Sequence, residues 1–191
     1  MNPRADASNL SNQFLIAMPG TAESSFSGTV IYVCEHSPRG ALGLVINRPT
    51  DITLKDLFER VDLRLDQPGL AEQTVYYGGP VQTERGFVLH NSTEDTYAST
   101  LQVAGGLQMT TSKDVLEGIA AGHGPARFFV ALGYSGWSAG QLEDEIAHNG
   151  WLTVDADASI IFDVLAEHRF DAAMSLLGIS SVSLSQIAGH A

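Results

Sequence analysis

The sequence predicts a single domain of mixed α-helices and β-strands, on three observations. The chain has 191 residues, 44% of them apolar, enough to bury roughly 70% of the surface that its unfolded form exposes. Short β-branched and apolar runs of strand length alternate with segments of helical periodicity, and Gly- and Pro-containing turns divide them. No internal repeat, low-complexity tract or composition break marks a second domain.

Residues 1–12 are polar and read as a mobile N-terminal tail, leaving 13–191 as the domain. Phe14 to Met18 is an apolar run stopped by Pro19-Gly20, the pattern of a buried first strand. Thr29 to Cys34 and Ala41 to Ile46 flank His36-Ser37-Pro38-Arg39-Gly40 and read as a hairpin, ended by Asn47-Arg48-Pro49. Thr53, three residues before Asp56, predicts a capping box that opens a helix through about Val61, with Leu54, Leu57, Phe58 and Val61 on its apolar face. Residues 62–72 read as a loop. A second hairpin is expected from Thr74–Tyr77 and Gly86–His90 through Gly78-Gly79-Pro80-Val81, and a third pair from Leu101–Val103 and Leu107–Thr110 around Gly105-Gly106. Thr111-x-x-Asp114 predicts another boxed helix, stopped near Gly122. Arg127 to Leu132 is a buried strand, expected to end in a glycine-rich turn over Gly133 to Trp137 and to lead into a helix from Ser138 to about His148. Trp151 to Val154 returns as a strand, and helices follow over Ile160–Leu165 and Arg169–Leu177, the second closed by Gly178.

Charge and composition exclude several function classes. Lys plus Arg number 10 against 22 Asp plus Glu, a formal net charge of -12, and the cations are scattered from Arg4 to Arg169. Such a chain repels a phosphate backbone, so direct nucleic-acid binding is disfavoured. The single cysteine cannot form an internal disulfide, the first residues lack a basic start and apolar stretch, and the longest apolar run, Phe128 to Leu132, is far short of the roughly 20 residues that span a bilayer. The expectation is a cytoplasmic protein without membrane contact. The six histidines are dispersed without metal-ligand spacing, and no phosphate-loop or dinucleotide fingerprint is present, so neither metal nor cofactor is expected.

Two nucleophile candidates stand out. Gly136-Trp137-Ser138-Ala139-Gly140 fits the G-x-S-x-G elbow, and Asp155, Asp157 or Asp163 with His168 or His190 would complete the chain order of a hydrolase triad. An elbow places its serine directly off the strand end, whereas Gly133 to Trp137 intervene here, and Ser138 with Gln141 also reads as a helix-capping box. Glu143, Asp144 and Glu145 suit the start of that helix and would repel a phosphate bound there. Cys34 lies on a strand two residues before His36, whose imidazolium on the same face would activate the thiol, yet Cys34 also extends an apolar run and reads as buried. His36, His90, Asn47 and Arg48, at hairpin ends, can converge in a polar cleft.

Phe14-Leu15-Ile16-Ala17-Met18-Pro19, Gly43-Leu44-Val45-Ile46-Asn47-Arg48-Pro49, Gly78-Gly79-Pro80-Val81, Arg85-Gly86-Phe87-Val88-Leu89-His90 and Leu132-Gly133-Tyr134-Ser135-Gly136-Trp137, followed by Gly140-Gln141-Leu142-Glu143, occur in this order along nearly the whole chain. In combination they resemble the AlgH/YqgE-like family of bacterial proteins. The resemblance implies an α+β fold whose bifurcated, mostly antiparallel sheet is curled into a barrel-like shape and flanked by helices, in place of the doubly wound sheet that the alternation of elements alone suggests. It also implies a family of unsettled biochemical activity, sometimes labelled a transcriptional regulator because of alginate production in pseudomonads. The family pattern often has glycine at the position of Ser138, which speaks against a nucleophile there. Relatives usually carry a tryptophan near the final helix where this chain has Phe170, so a function resting on that indole does not carry over.

The leading expectation is a binding or regulatory protein that acts by contact with a protein or small molecule, through a surface built from Asn47, Arg48, Gly79, His90, Trp137 and Gln141. The alternative is an enzyme with a Ser138 or Cys34 nucleophile.

Overall fold

A forked β-sheet organises the chain, and the computed structural model describes it over residues 9–17 and 27–178. The elements run β1 (Gln13–Ala17), β2 (Val30–Ser37), β3 (Gly40–Val45), β4 (Pro49–Thr53), α1 (Leu54–Arg60), α2 (Pro68–Ala71), β5 (Thr74–Tyr77), β6 (Val81–Asn91), β7 (Thr100–Val103), β8 (Leu107–Thr110), α3 (Asp114–Ala121), β9 (Phe128–Ser138), α4 (Gln141–Ala147), β10 (Trp151–Asp155), α5 (Ala158–Phe162) and α6 (Ala166–Leu176). The main path of the sheet is β10-β1-β2-β3-β9-β6-β8-β7, with β4 paired to β5 and β5 to β9 off that path. All pairings are antiparallel except β5 with β9.

The fork lies on β9. Its N-terminal half pairs with β6 on one side and, at Ala131 and Leu132, with β5 on the other. Its C-terminal half, Ser135 to Ser138, pairs with β3 instead. Gly78 joins the two branches, its N–H donating to the Leu132 carbonyl at 2.8 Å and its carbonyl accepting from Val45 at 2.9 Å. At this crossing Gly79 has φ 153° and Gly133 φ 75°, and an added Cβ would lie 2.1 Å from the Tyr134 carbonyl carbon or 2.3 Å from the Gly79 oxygen, respectively. Only glycine satisfies both the backbone angles and the contact.

Three apolar cores follow from the curl and the fork. The concave face collects Phe14, Tyr32, Leu44, Phe87, Leu89 and Phe129, and α5 and α6 close it with Ile160, Ile161, Ala173 and Met174. The opposite face of β1, β2 and β3 packs Leu15, Ile31, Val33 and Val45 against Trp137, Trp151 and Leu142 of α4. On the other branch, α1 and α3 cover Val75, Val88 and Val130. Residues alternating along one strand thus serve different cores, as the two-residue strand period requires.

Several local expectations hold. The Thr53–Asp56 capping box is present in both directions, the hairpins of β2 with β3 and of β7 with β8 form, and Gly122 ends α3 at φ 85°. Others are corrected. β5 and β6 do not form a hairpin, because β9 lies between them. Gly133 to Trp137 are not a turn but continue β9, which is one eleven-residue strand. The Thr111–Asp114 box does not form: Asp114 instead accepts from Ala98 N and Ser112 Oγ, and α3 starts from Lys113 without a side-chain cap. Residues 49–53 are strand β4, and the loop expected over residues 62–72 contains the short α2. Residues 9–12 of the expected tail are held in place: Leu10 is buried, and Asn12 Oδ1 accepts from the Tyr32 hydroxyl at 2.9 Å. Residues 1–8, Met18-Pro19-Gly20 and His190 lie outside the described residues.

The crossing predicts a contrast between two glycines. Gly79→Ala should cost at least about 2 kcal/mol, since backbone strain and overlap add. Gly86→Ala, with nothing within 4 Å of the added carbon, should be neutral or stabilising by up to about 1 kcal/mol. Equilibrium urea unfolding of the two variants checks the difference.

Candidate functional site: a groove floored by two tryptophans

Beyond the fork, β9 turns its alternate side chains toward α4 and β10. Ser135 and Trp137 are buried there while Gly136 and Ser138 are exposed. α4 begins after Gly140, which sits at φ 77° as a helix cap without a side-chain bond, and its seven residues carry Gln141 and Glu145 one turn apart on the groove side. The resulting groove, about 470 Å³, is lined by Ala17, Pro80, Gly136, Trp137, Gln141 and Trp151, among others. A second depression of about 440 Å³ continues past Gly136 and Trp137 along Tyr134, Leu42, Val81 and Arg39.

One carboxylate fixes the groove. Glu145 Oε2 accepts from Trp137 Nε1 at 2.9 Å and from Trp151 Nε1 at 2.8 Å, and Oε1 accepts from Gln141 Nε2 at 3.1 Å. The indoles meet edge to face, 6.3 Å between centroids at 77°. Each buried indole N–H thereby finds the partner that it needs. On the flank of α4, His36 Nδ1 accepts from the Leu10 N–H at 3.1 Å, so its Nε2–H donates to Glu143 Oε1 at 2.6 Å. Bonding of the Glu143 carboxylate to its own backbone N–H, opposed by partial burial and aided by His36, holds it below its ordinary pKa.

The six residues expected to form one surface fall in separate places. Trp137 and Gln141 belong to the groove, and Gly79 lies beneath its edge, next to the lining residue Pro80. Asn47 is committed to backbone, accepting from Val30 N at 2.9 Å and donating to the Gly28 carbonyl at 2.8 Å. Arg48, immediately before β4, is not a lining residue of either depression. His90 is fully buried in β6: Nδ1–H donates to the Asn91 carbonyl and Nε2 accepts from the Thr110 hydroxyl, both at 2.8 Å. Glu145 and Trp151 complete the site beyond the sequence expectation; the i, i+4 pair Gln141–Glu145 is a sequence signal for the first, and none points to Trp151.

The nucleophile candidates are engaged otherwise. Ser138 ends β9 and does not cap α4; its N–H and hydroxyl both donate to Gln141 Oε1, at 3.0 and 3.3 Å. Asp155 bonds Gln13, Asp157 bonds Ser159, Asp163 bonds Arg127, and His168 approaches Glu167. Cys34 is buried, and burial pushes its thiol pKa far up, against thiolate formation. A β-bulge between Val33 and Glu35 breaks the strand alternation. Cys34 therefore packs in the concave core while His36 faces α4, and the shared face expected for them is lost. Among the described residues no cluster of three or more His, Cys, Asp or Glu is arranged to hold a metal ion.

A family model described as AlgH-like matches residues 14–182. The chain is 67% identical over 186 residues to a UPF0301 protein of Paraburkholderia phymatum, covering 97% of each. It is 68% identical over 183 residues to a UPF0301 protein of Ralstonia pickettii, covering 96% of each. Among solved structures, the AlgH protein from Pseudomonas aeruginosa matches at 46% identity over 100% of both chains with a TM-score of 0.80. A Corynebacterium diphtheriae protein shares the fold at 18% identity, with a TM-score of 0.66 over 91% of this chain and 88% of that one.

His90 makes a pH prediction. Burial lowers its pKa from 6.5, only partly offset by the bond to Asn91. The unfolded chain then binds the proton more readily, so this contribution to stability is complete above about pH 6.5 and is lost as pH falls toward the folded-state value. His90→Gln should flatten the stability slope below about pH 6.5, measured as urea midpoints across pH.

Proposed function

The chain belongs to the AlgH-like family, and we propose that it is a binding protein that acts by contact through the groove between β9, α4 and β10. The observation that carries this reading is the single Glu145 carboxylate oxygen bonded by both indole N–H groups. Three donors converging on one carboxylate fix the floor of an apolar groove in advance, so that a partner need not order it on binding. Two depressions that meet at Gly136 suit an extended segment rather than a compact molecule. Glu143, Asp144 and Glu145 along α4, with the net charge of -12, favour a partner segment that places apolar side chains in the groove and Lys or Arg at its ends. Regulation, on this reading, works through protein contact in the cytoplasm, and the acidic charge opposes direct DNA binding. No helix among the described residues is long and apolar enough to cross a membrane.

Two measurements test this. A partner retained from lysate by the wild type, then bound directly as a purified protein, should be lost with Gly136→Arg, which fills the groove at an exposed position, and kept with Arg48→Ala, outside it. Equal retention by all three proteins sinks the groove as the contact surface. Serine-directed fluorophosphonate should leave Ser138 unlabelled, and a thiol reagent should modify Cys34 only after unfolding. Rapid labelling of either residue in the folded protein would return the enzyme reading.

A further inference from the structure

Arg169 is the most deeply buried cation of the described chain, 5% exposed, and it lines a separate cavity of about 270 Å³ at the start of α6. Its Nε donates to the Val164 carbonyl at 2.9 Å and its Nη1 to that of Ile46. The guanidinium lies over the Tyr76 ring at 4.8 Å and near the Phe129 ring at 5.6 Å. No carboxylate of the described residues lies within 4 Å of it; Asp163, the acid that lines the cavity, is paired with Arg127. α6 opens on the same wall at Leu165, a cap position without a side-chain acceptor, and adds the first backbone N–H groups of an eleven-residue helix, that of His168 being bonded to the Leu165 carbonyl and Glu167 standing in the first turn. Burial lowers the pKa of Arg169, yet a guanidinium remains charged in proteins. A buried charge is normally compensated by an anion. Here two carbonyl dipoles, the ring faces and a hydrogen bond with the Tyr76 side chain supply the compensation, and none of these partners carries a full negative charge.

We propose that this cavity binds a small organic carboxylate, its two oxygens taken by the fork of Arg169 and the helix start, its apolar body lying among Leu54, Phe129 and Phe162. With the single Nε–H spent on Val164, the Nη hydrogens that Ile46 and Tyr76 leave free are the ones that face a carboxylate. A multiply charged phosphate suits the site less, given the Asp163 carboxylate on its wall and the acidic chain. The volume is below the roughly 300 Å³ at which small-molecule sites usually begin, which restricts the ligand to a short chain or a single ring.

The test titrates the full-length protein with benzoate, its neutral amide benzamide, and inorganic phosphate, following the Arg169 Nε–Hε resonance and Tm. Benzoate should shift that resonance saturably and raise Tm, while benzamide should bind at least roughly tenfold more weakly. Arg169→Lys should weaken benzoate by roughly tenfold or more, and Gly136→Arg should leave it unchanged, separating this cavity from the groove. The proposal is overturned if benzoate produces no saturable shift, if benzamide binds equally well, or if phosphate alone binds. Should Arg169→Lys fail to fold, the comparison of benzoate with benzamide on the wild type decides.

Discussion

The close approach of Gly78 and Gly79 to Gly133 is the constraint on which the rest of the molecule depends. Two strands, β3 and β5, compete for one edge of β9, and a pleated sheet can serve both only if the chain leaving β5 passes almost in contact with β9. Side chains there would overlap backbone at 2.1 to 2.3 Å. With glycine, the Gly78 amide and carbonyl each find a partner on a different branch of the fork. Three cores instead of two, and a β9 long enough to serve all of them, follow from that junction.

The groove depends on tertiary contacts rather than on helical propensity. α4 has only seven residues and starts from an uncapped glycine, well below the length at which an isolated helix persists. Glu145 binds it to β9 and β10 through the two indoles, Leu142 is fully buried in the core beneath it, and Glu143 binds it to His36 of β2. His36 in turn holds Leu10, which packs in the same core as Trp137. The segment before β1 and the helix beside the groove are thus parts of one hydrogen-bonded unit, though 107 residues separate His36 from Glu143.

Local chemistry carried the sequence reading where the decisive partner is near in the chain. Thr53 and Asp56 cap α1 because each reaches the other within three residues, and Gly105-Gly106 turns β7 into β8 because the geometry is set by adjacent dihedrals. It failed where a distant strand decides. The run 133–137 has turn composition, yet β3 and β6 supply ladder partners that keep it extended. Thr74–Tyr77 and Gly86–His90 have the look of a hairpin, but no local signal announces that β9 inserts between them. The bulge at Val33/Glu35 likewise reversed which face His36 occupies. The same limit separated the candidate site: Trp137 and Gln141 lie four residues apart and meet, whereas Asn47 and His90, polar in sequence, spend their hydrogen bonds on the fold itself.

β9 also explains why two such different surfaces coexist. Its first half contributes Phe129, which stacks on Tyr76 at 4.6 Å and helps to hold a buried cation on the concave side. Its second half contributes Trp137, which donates to a carboxylate on the convex side. Phe129 and Trp137 are an even number of residues apart and would share a face of a regular strand; Gly133, at φ 75° between them, breaks the alternation where β9 changes neighbours, so a single segment can place a cation beside one core and an anion beside another. In an acidic chain the two are not equivalent. Carboxylates are abundant at the surface, and the acid at the groove is satisfied by neutral indole and amide donors that leave its charge in place. The arginine is the exception, with no carboxylate of the described residues within 4 Å and stacked on aromatic rings instead. A cation kept from so many available partners is better explained by a ligand than by packing alone, because an aliphatic side chain in the same space would avoid the cost of burying charge altogether.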